Sequence, residues 1–163
     1  MIRAAALALM LLLCACGLTP MYAGGSSGTA ATGLRAVRVA PIPERAGWLV
    51  RNALVDRLGG EVNEPRYRLE VELDDELTGF GIRGDSAVTR ERRTLRARYR
   101  LVDLSSGLVV LDATAGSDAG IDVVSSEYAT VAAEQTAQER LAQVIADQMV
   151  SRVALFMRNT KPR

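Results

Sequence analysis

Tyr67-Arg68-Leu69-Glu70-Val71-Glu72-Leu73-Asp74 alternates apolar and charged residues without interruption. A period of two sends successive side chains to opposite faces of a strand, so this run has one face for a core and one for water. The water face is mostly acidic. Farther on, Leu95, Ala97, Tyr99 and Leu101 alternate with Arg96, Arg98, Arg100 and Val102, a second half-buried strand whose outer face is basic. Ser105-Ser106-Gly107 is a tight-turn signal and Leu108 to Ala115 supplies a further strand, so the three should form an antiparallel meander. If the first two strands pair so that residue numbers sum to 168, Leu69 faces Tyr99 and Val71 faces Ala97 on the buried side. On the other side Glu70 then meets Arg98, Glu72 meets Arg96 and Glu76 meets Arg92. A one-residue slip would set apolar against charged side chains, which fixes the parity.

Upstream, Leu34 to Pro43 carries Val37 and Val39 on one face and stops at two prolines, which predicts a first strand at or near a sheet edge. From Glu44 to Leu58 the period becomes helical, with Val50, Leu54 and Leu58 at i+4 steps, and Gly59-Gly60 ends it. Downstream, Ser125 or Ser126 can cap a helix with Glu127 in its first turn. Ala129, Ala133, Ala137, Leu141, Ile145, Met149 and Val153 then recur every four residues to about Met157. The fold expected is α+β: a two-layer sandwich in the order strand, helix, three strands, long helix. One mostly antiparallel four-stranded sheet is covered on one face by the two helices, leaving its charged face bare.

The N-terminal stretch decides where the domain works. Arg3 is followed by an apolar run from Ala4 to Leu13. That run is too short to span a hydrocarbon core, which needs roughly 20 residues, and it ends in small residues as a cleaved export signal does. Leu13-Cys14-Ala15-Cys16 resembles the lipobox of bacterial lipoproteins, with Cys16 as the acylated residue; the alternative is an ordinary secretory signal with incidental cysteines. Residues 1–15 are then the signal peptide, residues 16–33 a lipidated N-terminus and Gly/Ser-rich tether, residues 34–158 one domain and residues 159–163 a tail. Gly17, where an Asp would retain such a lipoprotein in the inner membrane, favours the outer membrane, with the domain on the periplasmic side.

The precursor holds 20 Lys+Arg against 19 Asp+Glu, and removal of Arg3 leaves 19 against 19. That balance points to no nucleic acid. With Cys14 removed and Cys16 acylated, no thiol remains for a disulfide, a metal or a nucleophile. The sequence has no His, which excludes Ser-His-Asp and Cys-His catalysis and His-ligated metals. Gly79-Phe80-Gly81-Ile82-Arg83-Gly84 matches G-x-G-x-x-G, but that fingerprint needs a following helix N-terminus, whereas Val88 to Leu104 reads as a strand. Asp74-Asp75-Glu76 reads as a solvated rim and Arg83-Gly84-Asp85 as a turn. Seven arginines lie between Arg83 and Arg100, against Asp85 and Glu91. A cross-strand ion-pair ladder accounts for most of them. Arg90, Arg93 and Arg100 lack partners on the expected register and are the candidates for phosphate contact, since Arg binds phosphate bidentately.

Gly17-Leu18-Thr19-Pro20-Met21-Tyr22 after the lipobox, Phe80-Gly81-Ile82 in the hairpin loop, Thr89-Arg90, and Ser126-Glu127-Tyr128-Ala129 with Ala133-Glu134 together resemble the LptE family of lipopolysaccharide-assembly lipoproteins. The resemblance runs over nearly the whole mature chain and rests on order and spacing. It implies a two-layer α/β domain that sits as a plug inside the outer-membrane β-barrel LptD, assists its assembly and can bind lipopolysaccharide. Arg90, Arg93 and Arg100 would then contact lipopolysaccharide or the barrel wall. It implies no enzymatic activity and no cofactor beyond the covalent lipid on Cys16. The alternatives are a carrier that takes up lipopolysaccharide alone and an accessory subunit of another envelope machine.

Overall fold

Seven elements follow one another in a computed structural model that describes residues 28–82 and 88–160. They are α1 (Thr29–Arg35), β1 (Val37–Val39), α2 (Glu44–Leu58), β2 (Tyr67–Ile82), β3 (Val88–Asp103), β4 (Val109–Asp122) and α3 (Glu127–Asn159). The sheet order is β1-β2-β3-β4. β2, β3 and β4 form the antiparallel meander, whereas β1 pairs with β2 in parallel. The sheet is therefore mixed, because α2 carries the chain from β1 back to the same end of the sheet before β2 begins.

Parity is as the alternation demands. Tyr67, Leu69, Val71, Leu95, Ala97, Tyr99 and Leu101 are all buried on the helix side, where they meet Val50, Leu54, Leu141, Ile145, Met149 and Val153. The register differs from expectation by two residues: Leu69 faces Leu101, Val71 faces Tyr99 and Glu72 faces Arg98, so partner numbers sum to 170 rather than 168. A two-residue shift keeps every side chain on its face, so burial alone does not select between the two registers.

α3 is 33 residues long, about 50 Å at 1.5 Å per residue. Ser126 caps it by accepting a hydrogen bond from the Ala129 N–H, and Arg57 of α2 bonds to Asp147 of α3 across the helix layer. α2 ends where Gly59 takes φ 100°, a left-handed value that glycine adopts without strain. α1 replaces the end of the expected tether and the start of the expected first strand. Ala30 and Leu34, one helical turn apart, bury themselves, and Gly33 lies so close to Met157 of α3 that a Cβ there would be 2.9 Å from its Cγ. Tertiary burial thus holds a segment whose Gly/Thr composition favours no helix. Cys16, the rest of the tether, Gly17 to Tyr22, and Arg83-Gly84-Asp85 lie outside the described residues.

Candidate functional site

The face of the sheet away from the helices is a lattice of charge. β3 forms its middle, with Arg90, Arg92, Arg96, Arg98 and Arg100 pointing outward; β2 adds Glu70, Glu72, Asp74 and Glu76, and β4 adds Asp112, Asp118 and Asp122. Arg100 Nη2 lies 3.2 Å from Glu72 and 3.8 Å from Glu70. Arg98 Nη2 lies 3.0 Å from Asp112 and Arg90 Nε 3.0 Å from Asp122. Arg92 sits 4.0 Å from Asp118, with its guanidinium 5.3 Å from the Phe80 ring centre. Hydrogen bonds from Arg98 are the main cause that holds the Asp112 carboxyl below the usual carboxylate range. These pairs are largely open to solvent, so each contributes little to stability. What they do is fix the guanidinium planes on the open face.

Arg90 and Arg100 therefore have partners, contrary to the sequence expectation, because β4 brings Asp122 beside Arg90 and the register moves Glu70 opposite Arg100, with Glu72 next to it. Arg93 is displaced more radically. Two residues before Leu95, it shares the parity of the core and points under the helices. There its Nε and Nη2 donate to Asp75 at 2.8 and 2.7 Å, while Gln138 Nε2 of α3 donates to the same carboxylate at 2.8 Å. Burial pushes the Asp75 carboxyl up, but these donors outweigh it and the net shift is downward. Beyond this triad on the same face lies Glu91, with Oε2 buried and, among the described residues, without a hydrogen-bond partner. Burial first, and then the charge of Glu134, raises its pKa.

Among the described residues, Arg96 is the outward arginine of β3 that takes part in none of the ion pairs of this face. A Cβ at Gly116 would collide with its Nη1, so the missing side chain lets the guanidinium rest over β4. It lines a shallow cleft of about 590 Å³ with Glu72, Asp74, Arg98 and Thr114. Sequence reasoning passed over Arg96 because the earlier register gave it Glu72; the small residue at Gly116 on the neighbouring strand was the available signal. Among the described residues no group of acids could hold a metal ion, and no helix is long and apolar enough to cross a membrane. The glycine-rich Gly79-Phe80-Gly81 stretch ends a strand, with β3 rather than a helix after it.

These features define a class: a two-layer α+β domain that keeps one sheet face for its helices and leaves the other as a bare, charged surface. A family model described as LptE, lipopolysaccharide-assembly, matches residues 34–153. The chain belongs to the LptE family and is a lipopolysaccharide-assembly lipoprotein by that membership. Comparison with curated proteins finds no match. Among solved structures the chain is similar to a candidate lipoprotein from Caulobacter crescentus CB15, at 25% identity and TM-score 0.69 over 83% of this chain and 100% of that one. The rare lipoprotein B of Shewanella oneidensis has the same fold at 11% identity, TM-score 0.59, over 76% of this chain and 95% of that one. So does a lipoprotein B from Nitrosomonas europaea, at 13% identity, TM-score 0.60, over 76% and 84%.

Proposed function

We propose that the chain is anchored in the outer membrane by acyl groups on Cys16 and forms a complex with an LptD-type β-barrel, as plug and assembly partner for lipopolysaccharide insertion. The match of the family model over residues 34–153 carries this reading. The shape of the domain supports it, since the lumen of an outer-membrane barrel is polar and wet and suits a charged sheet face better than an apolar one. In this role the domain performs no covalent chemistry. Its work is to fill and brace a pore, and to offer fixed guanidinium groups to phosphate-bearing glycolipid or to barrel carboxylates. Arg90 and Arg100 serve from within their ion pairs and Arg96 serves unpaired, whereas Arg93 is committed to the core triad.

Affinity purification of the tagged chain from detergent-solubilised outer membranes, followed by mass spectrometry, tests the assignment. An LptD-type barrel should be recovered in near-equal amount. Recovery of a different envelope assembly without that barrel overturns it.

A further inference from the structure

β2 keeps one of its two edges bare. β1 pairs only with Tyr67 to Leu69, and among the described residues no strand lies on that side of β2 beyond Leu69. The Tyr67 N–H donates to the Ala36 carbonyl and the Ala40 N–H to the Leu69 carbonyl, so the odd-numbered residues of β2 turn their backbone toward that side. Val71, Leu73, Asp75, Leu77 and Gly79 consequently hold N–H and C=O groups toward an open edge. At the opposite edge of the sheet a helix side chain fills this role. The Gly116 N–H donates to Gln148 Oε1 at 3.2 Å, and Gln148 Nε2 donates to the Gly116 carbonyl at 3.3 Å.

Beside the open edge lies a cleft of about 220 Å³ between β2 and the start of α2, lined by Ile42, Ala46, Gly47, Val71, Leu73 and Glu44. The charge along the edge is one-sided. Glu72, Asp74 and Glu76 are exposed on the outer face, Glu44 is exposed at the cleft, and the Arg100 that reaches Glu72 comes from the β3 side. An unpaired edge with an adjoining side-chain pocket is the arrangement by which sheets accept an added strand: main-chain bonds supply affinity and the pocket supplies selectivity.

We propose that this edge receives an extended segment of a partner polypeptide in which basic and apolar residues alternate, added as a fifth strand beside β2. Its backbone bonds to Leu73, Asp75 and Leu77, one apolar side chain enters the cleft, and its basic side chains lie over Glu72, Asp74 and Glu76. A second copy of the chain does not suit, because antiparallel pairing of two β2 edges sets acids opposite acids. The inference stands apart from the barrel assignment, since it depends only on the edge, the cleft and their charge.

Amide hydrogen exchange followed by NMR on the mature chain carrying Cys16→Ser tests it, with two acetylated heptapeptide probes, one alternating Lys and Val and the other Glu and Val. The Lys/Val peptide should slow exchange at Leu73, Asp75 and Leu77, and the Glu/Val peptide should not. Reversal by Glu44→Lys, Asp74→Lys and Glu76→Lys together should invert the preference, weakening the Lys/Val peptide by about tenfold on the scale of a few exposed cross-strand pairs. Leu77→Pro, which removes an outward N–H and leaves the β3 ladder alone, should abolish protection; if it unfolds the domain, the charge reversal still decides. No slowing by Lys/Val, or equal slowing by both peptides, overturns the proposal. So does slow exchange at these amides in the peptide-free chain, which would show the edge already covered.

Discussion

Arg93→Leu should be among the most damaging single substitutions in the domain. The side chains of Arg93 and Asp75 are only 17% and 12% exposed, so removing the guanidinium strands a carboxylate with Gln138 as its remaining donor. Breaking a buried pair from one side costs about 3–5 kcal/mol. The triad sits toward the end of the core, where water can still approach, so the lower end applies, about 3 kcal/mol or roughly 10 °C in Tm. Asp75→Leu should cost a similar amount by stranding the guanidinium. Arg93→Leu with Asp75→Leu should recover most of the loss, because an apolar pair of similar volume replaces a buried ion pair at little net cost. The pH dependence has a definite sign. In the wild type the folded pKa of Asp75 is lowered, so the pair's contribution is present above the unfolded value near ~3.9 and is lost as pH falls through the folded pKa. In Arg93→Leu burial dominates and the folded pKa is raised, so the penalty is relieved as pH falls. The gap between wild type and variant should therefore narrow from pH 7 toward pH 4. Urea denaturation followed by circular dichroism, on the two single variants and the double at both pH values, measures all of this. Additive single effects, or a gap that widens on acidification, would refute the reasoning.

Ile145 and Leu141 are fully or nearly fully buried under the sheet, so truncation of either to Ala should cost about 2–5 kcal/mol, read from the denaturation midpoint. Glu91→Gln should stabilise the chain at pH 7, because the folded pKa of Glu91 is raised by burial and by Glu134. That penalty is absent below the unfolded pKa and grows as pH rises through the folded one, so the gain in Tm should vanish on acidification. Arg96→Glu, directly opposite Asp74, and Arg100→Glu, set against Glu70 and Glu72, should each lower stability by roughly 0.2–1 kcal/mol, read from thermal melts, and co-purification should show both weakening barrel recovery. Cys16→Ser should abolish acylation, checked by intact-mass spectrometry, and release the chain into the periplasm.

How much of this was legible in the sequence depends on what each signal could distinguish. Alternation from Tyr67 and from Leu95 determined which side chains enter the core, since period two leaves no freedom there. It left the register open by two, and with it the identity of every ion pair on the outer face. The inward position of Arg93 follows from the same parity as Leu95 and Tyr99 and could have been read; it was obscured by treating all arginines of the segment as one surface population. α1 was hidden for a different reason. Only Ala30 and Leu34 mark its buried side, and a Gly/Thr-rich segment becomes helical when Met157 and its neighbours offer a surface to cover. The period-four pattern of α3, by contrast, was explicit from Ala137 onward, where the helix lies over the core, whereas Ala129 and Ala133, which begin the series in the sequence, are exposed and Thr130 is buried in their place.

α1 also sets how the domain responds to a pull. Its seven residues have no side-chain cap; they pack on α3, with Gly33 seated on Met157 and Ala30 and Leu34 buried. Tension arriving along the N-terminal chain therefore peels α1 from α3 before it loads any strand. Straightening seven helical residues lengthens the leash by ~13 Å. The segment behaves as a mechanical fuse, yielding extension while β1 and the sheet behind it stay whole.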